Sequence, residues 1–398
     1  MTMKLAFLSP YPPSQVTLNE YGYHLIRSFV GKPGIENIYV LTNHLEDNGE
    51  YSRYAMEGIE LIPCWKFDSW FNFLYIRKAL NRIKPDAVIL NLQFMTFGSG
   101  KIPAALGLLA PWICKILDIP SVVILHNITE TVKLDTIGMA DSKWKGNLFL
   151  WIGKQLTRMI LKADLVGVTI SQYVDILKEK YGATNVILLP HGNFELPGRK
   201  YLPEPLQHVD LMAFGKFGTY KKVEVLLEAT KILEKKYPRL SFTATIAGTD
   251  NPNVKGYLAD VQHRYRDMKN VVFTGYVPEE KVAEIFQDSA FIIFPYTTTT
   301  GSSGILHQAG SYARACILPN IDDLTRVVDE EGYGGAYFEP ENAQSLADAV
   351  AGLIDHPEER KRMEDQNYAA AKGLPMNELA QWYLSHIQSL IQERSPRG

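Results

Sequence analysis

Three cysteines in 398 residues, Cys64, Cys114 and Cys316, are too few, too scattered and odd in number for a disulfide framework or a zinc knuckle. That scarcity points to a reducing compartment. Long apolar runs are missing too: the opening Met-Thr-Met-Lys-Leu-Ala-Phe-Leu-Ser-Pro holds too short a run for a signal peptide, and no uninterrupted run approaches a membrane span. A cytoplasmic protein is expected. There is no charge excess either. Forty-one Lys and Arg against 44 Asp and Glu leave a net charge of −3, which excludes the electrostatic footprint of a nucleic-acid binder. Solenoid repeats, low-complexity tracts and metal-ligand clusters are likewise absent from the sequence. What remains, 46% hydrophobic and 21% charged, is an ordinary globular composition on a chain long enough for two cores.

Short β-branched or apolar runs alternate with amphipathic stretches, the pattern of parallel sheets covered by helices. A first series of strands is predicted at 4–9, 37–42, 87–92, 121–126, 165–170 and 186–189. A second follows at 209–214, 241–247, 271–274, 290–295 and 316–319. Between them Pro197, Pro203 and Pro205 interrupt regular structure and mark a hinge. The expectation is an α/β chain of two Rossmann-like domains, 1–195 and 206–370, with the ends of their strands facing a shared cleft. A helical segment, 371–398, closes the chain, with apolar spacing at Leu379, Tyr383, Ile387 and Leu390.

Two loops of the second domain suit a phosphate. The apolar run Phe291-Ile292-Ile293-Phe294 leads into Gly301-Ser302-Ser303-Gly304, where small residues leave backbone N–H groups free to meet an anion at a helix start. A tight turn with a serine cap is the alternative, and this segment alone does not decide between them. The second loop, Gly215-Lys216-Phe217-Gly218-Thr219-Tyr220-Lys221-Lys222, precedes a helical pattern and puts lysines at its mouth. A solvated lysine turn is its bland reading. Two such loops at the strand ends of one domain favour a single diphosphate ligand.

These residues resemble the retaining glycosyltransferases of family four. Gly215-Lys216-Phe217, Lys221 and Leu226-Leu227-Glu228-Ala229 are similar to that family's Gly-Arg-Leu, Lys-Gly and Leu-Ile-Glu-Ala motif. The similarity continues through Gly275-Tyr276-Val277 and Phe294-Pro295 to Gly304-Ile305-Leu306-His307-Gln308-Ala309, and begins at Pro10-Tyr11-Pro12-Pro13 and Asn19-Glu20-Tyr21. The resemblance implies a GT-B fold with a deep interdomain cleft, and a last helix that crosses back to the first domain. It implies a donor site formed by Gly215, Lys216, Lys221, Tyr276, Val277, Gly301, Ser302, Ser303 and Gly304. The chain also departs from the family: the paired glutamates fall on Thr300 and Gln308, the arginine on Lys216, and the glycine pair of the first loop near Val16 and Thr17. Gln308 can still accept a hydrogen bond from a ribose, whereas Thr300 is shorter and uncharged.

In the first domain His126 ends the 121–126 run, where α/β proteins place ligand contacts. By position alone a cleft-facing ligand contact and a satisfied core histidine are equally open; the resemblance assigns His126 to the donor sugar. Asn127, Thr17 and Asn19 are placed on the sugar or acceptor side, and His191 with Gly192 is taken as structural. Lys143-Trp144-Lys145 and the apolar stretch after it could rest on an anionic membrane, although their helical spacing favours packing on the first sheet.

The resulting expectation is a metal-independent enzyme without a resident cofactor. It moves a hexosyl group from a UDP- or GDP-sugar to a hydroxyl of a glycan, glycolipid or small molecule. In the mechanism the resemblance implies, the acceptor attacks from the leaving-group side and a donor phosphate oxygen takes its proton. His126, Lys216 and Lys221 are the catalytic candidates. A nucleotide-sugar-binding protein that has lost catalysis, and a glycoside phosphorylase or epimerase on the same fold, are the alternatives.

Overall fold

A computed structural model describes residues 2–45, 51–131, 143–194, 196–251, 254–298 and 301–394, with backbone only for 143–149. The chain forms two compact units, Met1–Pro190 with Met376–Gly398, and His191–Pro375.

The first unit is built on β1 (Met3–Leu8), β2 (Ile35–Asn43), β3 (Ile59–Trp65), β4 (Ala87–Leu92), β5 (Ser121–Leu125), β6 (Leu165–Val168) and β7 (Val186–Leu188). They lie in the order β3-β2-β1-β4-β5-β6-β7, all parallel. Helices on both faces bury the central strands completely, which explains why β4 and β5 read as near-continuous apolar runs. The order reverses between β1 and β4, so the crevice beyond their carboxyl ends is the natural ligand position. Helix Met376–Arg394 belongs to this unit: Leu379, Ala380, Tyr383, Leu384 and Ile387 are buried. It packs near β5 and helix Asn19–Arg27, and its Arg394 pairs with Asp118 at 3.0 Å and Asp164 at 2.6 Å.

The second unit repeats the plan with β8 (His208–Phe217), β9 (Ser241–Asp250), β10 (Val271–Gly275), β11 (Phe291–Ile293), β12 (Ala315–Pro319) and β13 (Ala336–Phe338). Their order is β10-β9-β8-β11-β12-β13, again parallel, with the switch between β8 and β11. Leu211, Ala213, Ile246, Phe291 and Ile317 are part of its core.

Two strands fall outside the sequence expectation, and both are sheet edges. β3 carries Glu60 and Pro63 and is only partly buried, since proline is tolerated where no neighbour needs its N–H. β13 is three residues long, too short to show a period.

Candidate functional site

Lys221 is a buried cation of the second unit. The turn that holds it is fixed by backbone pairing across the switch point: Lys221 bridges Tyr296, Lys222 N–H donates to Pro295 O at 2.9 Å, and Thr297 N–H to Tyr220 O at 2.8 Å. The ammonium is buried 4.7 Å from the centre of the Tyr296 ring and 5.8 Å from that of Tyr220. Among the described residues no carboxylate forms an ion pair with it. Burial pulls its pKa below the ordinary lysine value, opposed by the Tyr220 side chain.

Gly215 shows what surrounds that charge. A Cβ at this position would stand 3.0 Å from Lys221 Nζ and 3.3 Å from Ile305 Cδ1, so the end of β8, the buried ammonium and the first turn of helix Gly304–Ser311 meet at one point. The φ of 127° at Gly215 belongs to glycine alone. Gly248 lies against it, where a Cβ would come within 1.9 Å of the Gly215 carbonyl oxygen.

The loop before that helix is held in an unusual shape. Ser303, its last residue, has φ 51°, Gly301 has φ 105°, and Ser303 Oγ lies 3.3 Å from Tyr296 OH. The Ser303 side chain makes no capping bond to the helix; Ser302 is buried. A helix start leaves its first N–H groups without intrahelical acceptors, and the side chain of Ile305 in that first turn borders the same point of Gly215 as the Lys221 ammonium. His307, one turn on, accounts for the shape. Its Nδ1 lies 3.1 Å from Ser303 O and its Nε2 2.7 Å from Glu331 Oε2, while the ring stacks on His191 at 4.5 Å. Both ring nitrogens face acceptors. Burial works against the charged ring, yet the Glu331 charge and these hydrogen bonds outweigh it and raise the pKa.

Other expected donor residues are distributed around this point. Gln308 is buried in the helix, Val277 is buried beyond β10, and the Tyr276 ring is half exposed. Lys216 is partly buried in β8 opposite Thr249 of β9. Thr300 lies outside the described residues. Lys222 stands apart from Lys221: half exposed, it pairs with Glu341 at 3.5 Å on the rim of a groove of about 350 Å³ whose lining includes Glu224, Glu228 and Glu341. That acidic groove is unsuited to a diphosphate.

In the first unit His126 sits beyond β5, its backbone N–H bonded to Leu92 O at 3.0 Å and its Nε2 2.7 Å from Asn91 Oδ1. The Asn91 amide nitrogen donates to Ser9 Oγ at 3.0 Å and toward Leu18 O at 3.4 Å, so Oδ1 is the acceptor and Nε2 carries the proton. Burial pushes the pKa down to about 3, so the ring is neutral, and Tyr21 packs edge-on at 4.5 Å. Gly22 lets its helix approach, since a Cβ there would strike Ser9 Oγ at 2.2 Å. Asn127 accepts from the Phe94 N–H at 3.1 Å and Asn19 donates to Ser14 O at 2.6 Å; both tie loops together at the sheet's carboxyl end. Thr17 is exposed. His191 is buried against the helix start at Gly304.

Sequence reasoning missed Asn91, Ser9, Tyr296, His307 and Glu331. Asn91 carried a signal, the single polar residue in Ala87–Leu92. His307 carried a weaker one, an imidazole in the otherwise small and apolar opening of a helix. Glu331 could not be found, because only folding brings it to His307.

Two parallel six- and seven-stranded sheets with ligand-poised switch points define the GT-B class of two-domain α/β proteins. Residues 208–356, most of the second unit, match the family model described as Glycosyl transferases group 1. The chain is 24% identical over 183 residues to O-antigen chain mannosyltransferase C of Escherichia coli, a match to 46% of this chain that spans about half, 47%, of that relative. Solved structures match over both units. Sucrose-phosphate synthase from Thermosynechococcus elongatus is 15% identical with TM-score 0.73, covering 98% of this chain and 99% of that one. Anabaena HepE in complex with UDP and glucose is 13% identical with TM-score 0.70, covering 97% and 100%. These likenesses support the fold.

Proposed function

We propose that this protein is a retaining glycosyltransferase whose second unit seats the diphosphate of a nucleotide sugar between Lys221, Gly215 and the start of helix Gly304–Ser311. The buried Lys221 ammonium, which no carboxylate neutralises among the described residues, carries this reading: a buried positive charge near the opening turn of a helix suits an anion. When the glycosidic bond breaks, negative charge develops on the leaving diphosphate, and these preorganised donors lie where it can be met. The transferase activity is supported by the family domain and by the mannosyltransferase relative. Similar structures hold UDP or UDP-glucose, which supports a nucleotide-sugar donor, here UDP- or GDP-linked. Lys216 assists the diphosphate, Tyr276 and Val277 border the nucleotide, and Gln308 receives the ribose. His126 contacts the transferred sugar, and the first unit supplies the hydroxyl acceptor site with Asn127, Thr17 and Asn19 nearby.

Calorimetric titration with UDP, GDP, uridine and guanosine, with and without a chelator, tests the donor site. Tighter binding of one diphosphate than of its nucleoside, unchanged by chelator, is expected; equal affinity for both refutes the assignment. Slow hydrolysis of the matching nucleotide sugar should follow. Donor binding with neither transfer nor hydrolysis would instead define a binding protein, and phosphate-dependent turnover a phosphorylase.

A further inference from the structure

The overall charge of −3 hides a segregation that only the fold reveals. Four helices of the first unit, Asn72–Ile83, Lys101–Gly107, Ala110–Ile116 and Lys143–Ile160, pack side by side. The right-handed crossovers leading to β4, β5 and β6 put them on one face of the sheet. None of the four contains an aspartate or glutamate. The first carries Arg77, Lys78 and Arg82, all exposed, and the two short helices add exposed Lys101 and Lys115. The last adds exposed Lys154 and Arg158, and its sequence also holds Lys143 and Lys145. Of the acids beside them, Asp68 accepts from Ser99 Oγ and Gly100 N–H, Asp118 pairs with Arg394, Glu130 accepts from Thr157 Oγ1 at 3.2 Å, and Glu60 borders Lys78 and Arg82 at the sheet edge.

The same helices display large apolar side chains to solvent. Trp70 and Phe71, at the entry to the first helix, are each 56% exposed, Ile102 50%, Trp112 42%, Ile116 53% and Trp151 59%. Single exposed hydrophobics need no explanation, but three of the four exposed tryptophans and the exposed phenylalanine among the described residues, gathered on one basic face, do. Tryptophan beside lysine and arginine is the composition of surfaces that sit in a lipid headgroup region, with rings at the acyl boundary and cations at the phosphates. No described helix is long and apolar enough to cross a membrane, so the contact is peripheral.

We infer that this face of the first unit docks on an anionic lipid bilayer. Charge complementarity selects that occupant: nine basic and no acidic residues on the four helices match a continuous negative surface, and the apolar rings supply the shallow insertion that a purely electrostatic contact lacks. The inference is independent of which donor the second unit takes.

Flotation with vesicles of phosphatidylcholine alone, and with added phosphatidylglycerol, tests it on the full chain. Binding to the anionic vesicles, release at high salt and no binding to neutral vesicles are expected, with a blue shift of tryptophan emission in the bound state. Lys154→Glu with Arg158→Glu, and separately Trp70→Ser with Phe71→Ser, should each weaken binding about tenfold or more. Thermal midpoints should stay unchanged, since all four side chains are exposed. Failure to bind anionic vesicles, equal binding to both compositions, or binding insensitive to both pairs of substitutions overturns the proposal. The first of these would leave the face to another anionic occupant, such as an acidic protein.

Discussion

Lys221 and Lys222 are neighbours in sequence with opposite surroundings, and replacing each isolates the diphosphate contact. Lys221→Met keeps the aliphatic stem and removes the charge. In the free protein that charge is buried without a carboxylate, an arrangement that costs several kcal/mol per ion in real proteins, while its contact with the Tyr296 ring at 4.7 Å returns about 0.5–2 kcal/mol. The burial cost wins, so the variant should be at least as stable as the wild type. Its affinity for the diphosphate should fall by roughly 1.5–3 kcal/mol, the range for a hydrogen bond to a charged group, which is about one to two decades in Kd. The bare nucleoside should bind unchanged. Lys222→Ala removes an exposed 3.5 Å pair with Glu341, worth about 0–1 kcal/mol to stability, and should leave diphosphate affinity within about threefold. Calorimetric titration and thermal unfolding read both quantities. If Lys221→Met binds the diphosphate like the wild type and Lys222→Ala loses about tenfold or more, the anion lies in the neighbouring groove and the site is misassigned.

The His307–Glu331 pair makes a prediction about alkaline stability. Because the folded pKa of His307 is raised above the ordinary histidine value, its contribution is complete below about pH 6.5 and is lost as pH rises through the raised value, so unfolding scans run upward from about pH 6.5 should show a decline that His307→Leu flattens. An identical pH slope in both proteins would contradict the charged-pair reading. His126 acts in the opposite direction: its depressed pKa gives a contribution that is present above about pH 6.5 and is lost as pH falls toward 3. Asn91→Leu leaves the buried Nε2–H without its acceptor and should lower stability by about 1–3 kcal/mol, reduce sugar transfer and spare diphosphate affinity. A loss of nucleotide binding equal to the loss of transfer would assign Asn91 a purely structural role.

Much of the fold was legible in the chain. Fully buried parallel strands must be apolar along their whole length, so β4, β5 and β11 announce themselves, and Gly215 and Gly301 mark positions where only glycine relaxes into a positive φ. The edge strands β3 and β13 escaped because an edge buries little and so imposes little pattern. At the site, local sequence named Lys221, Gly304 and His126, since His126 follows a strand directly and the other two lie on loops that lead from a strand to a helix. It could not choose between Lys221 and Lys222 by burial, because burial depends on Tyr296 and Ile305, which lie more than 70 residues away. Nor could it find Glu331 beneath His307, or Ser9 behind Asn91, for the same reason. Charge tells the same story: net charge is a sum over the sequence, whereas a basic, aromatic face exists only once the crossovers have set four acid-free helices side by side.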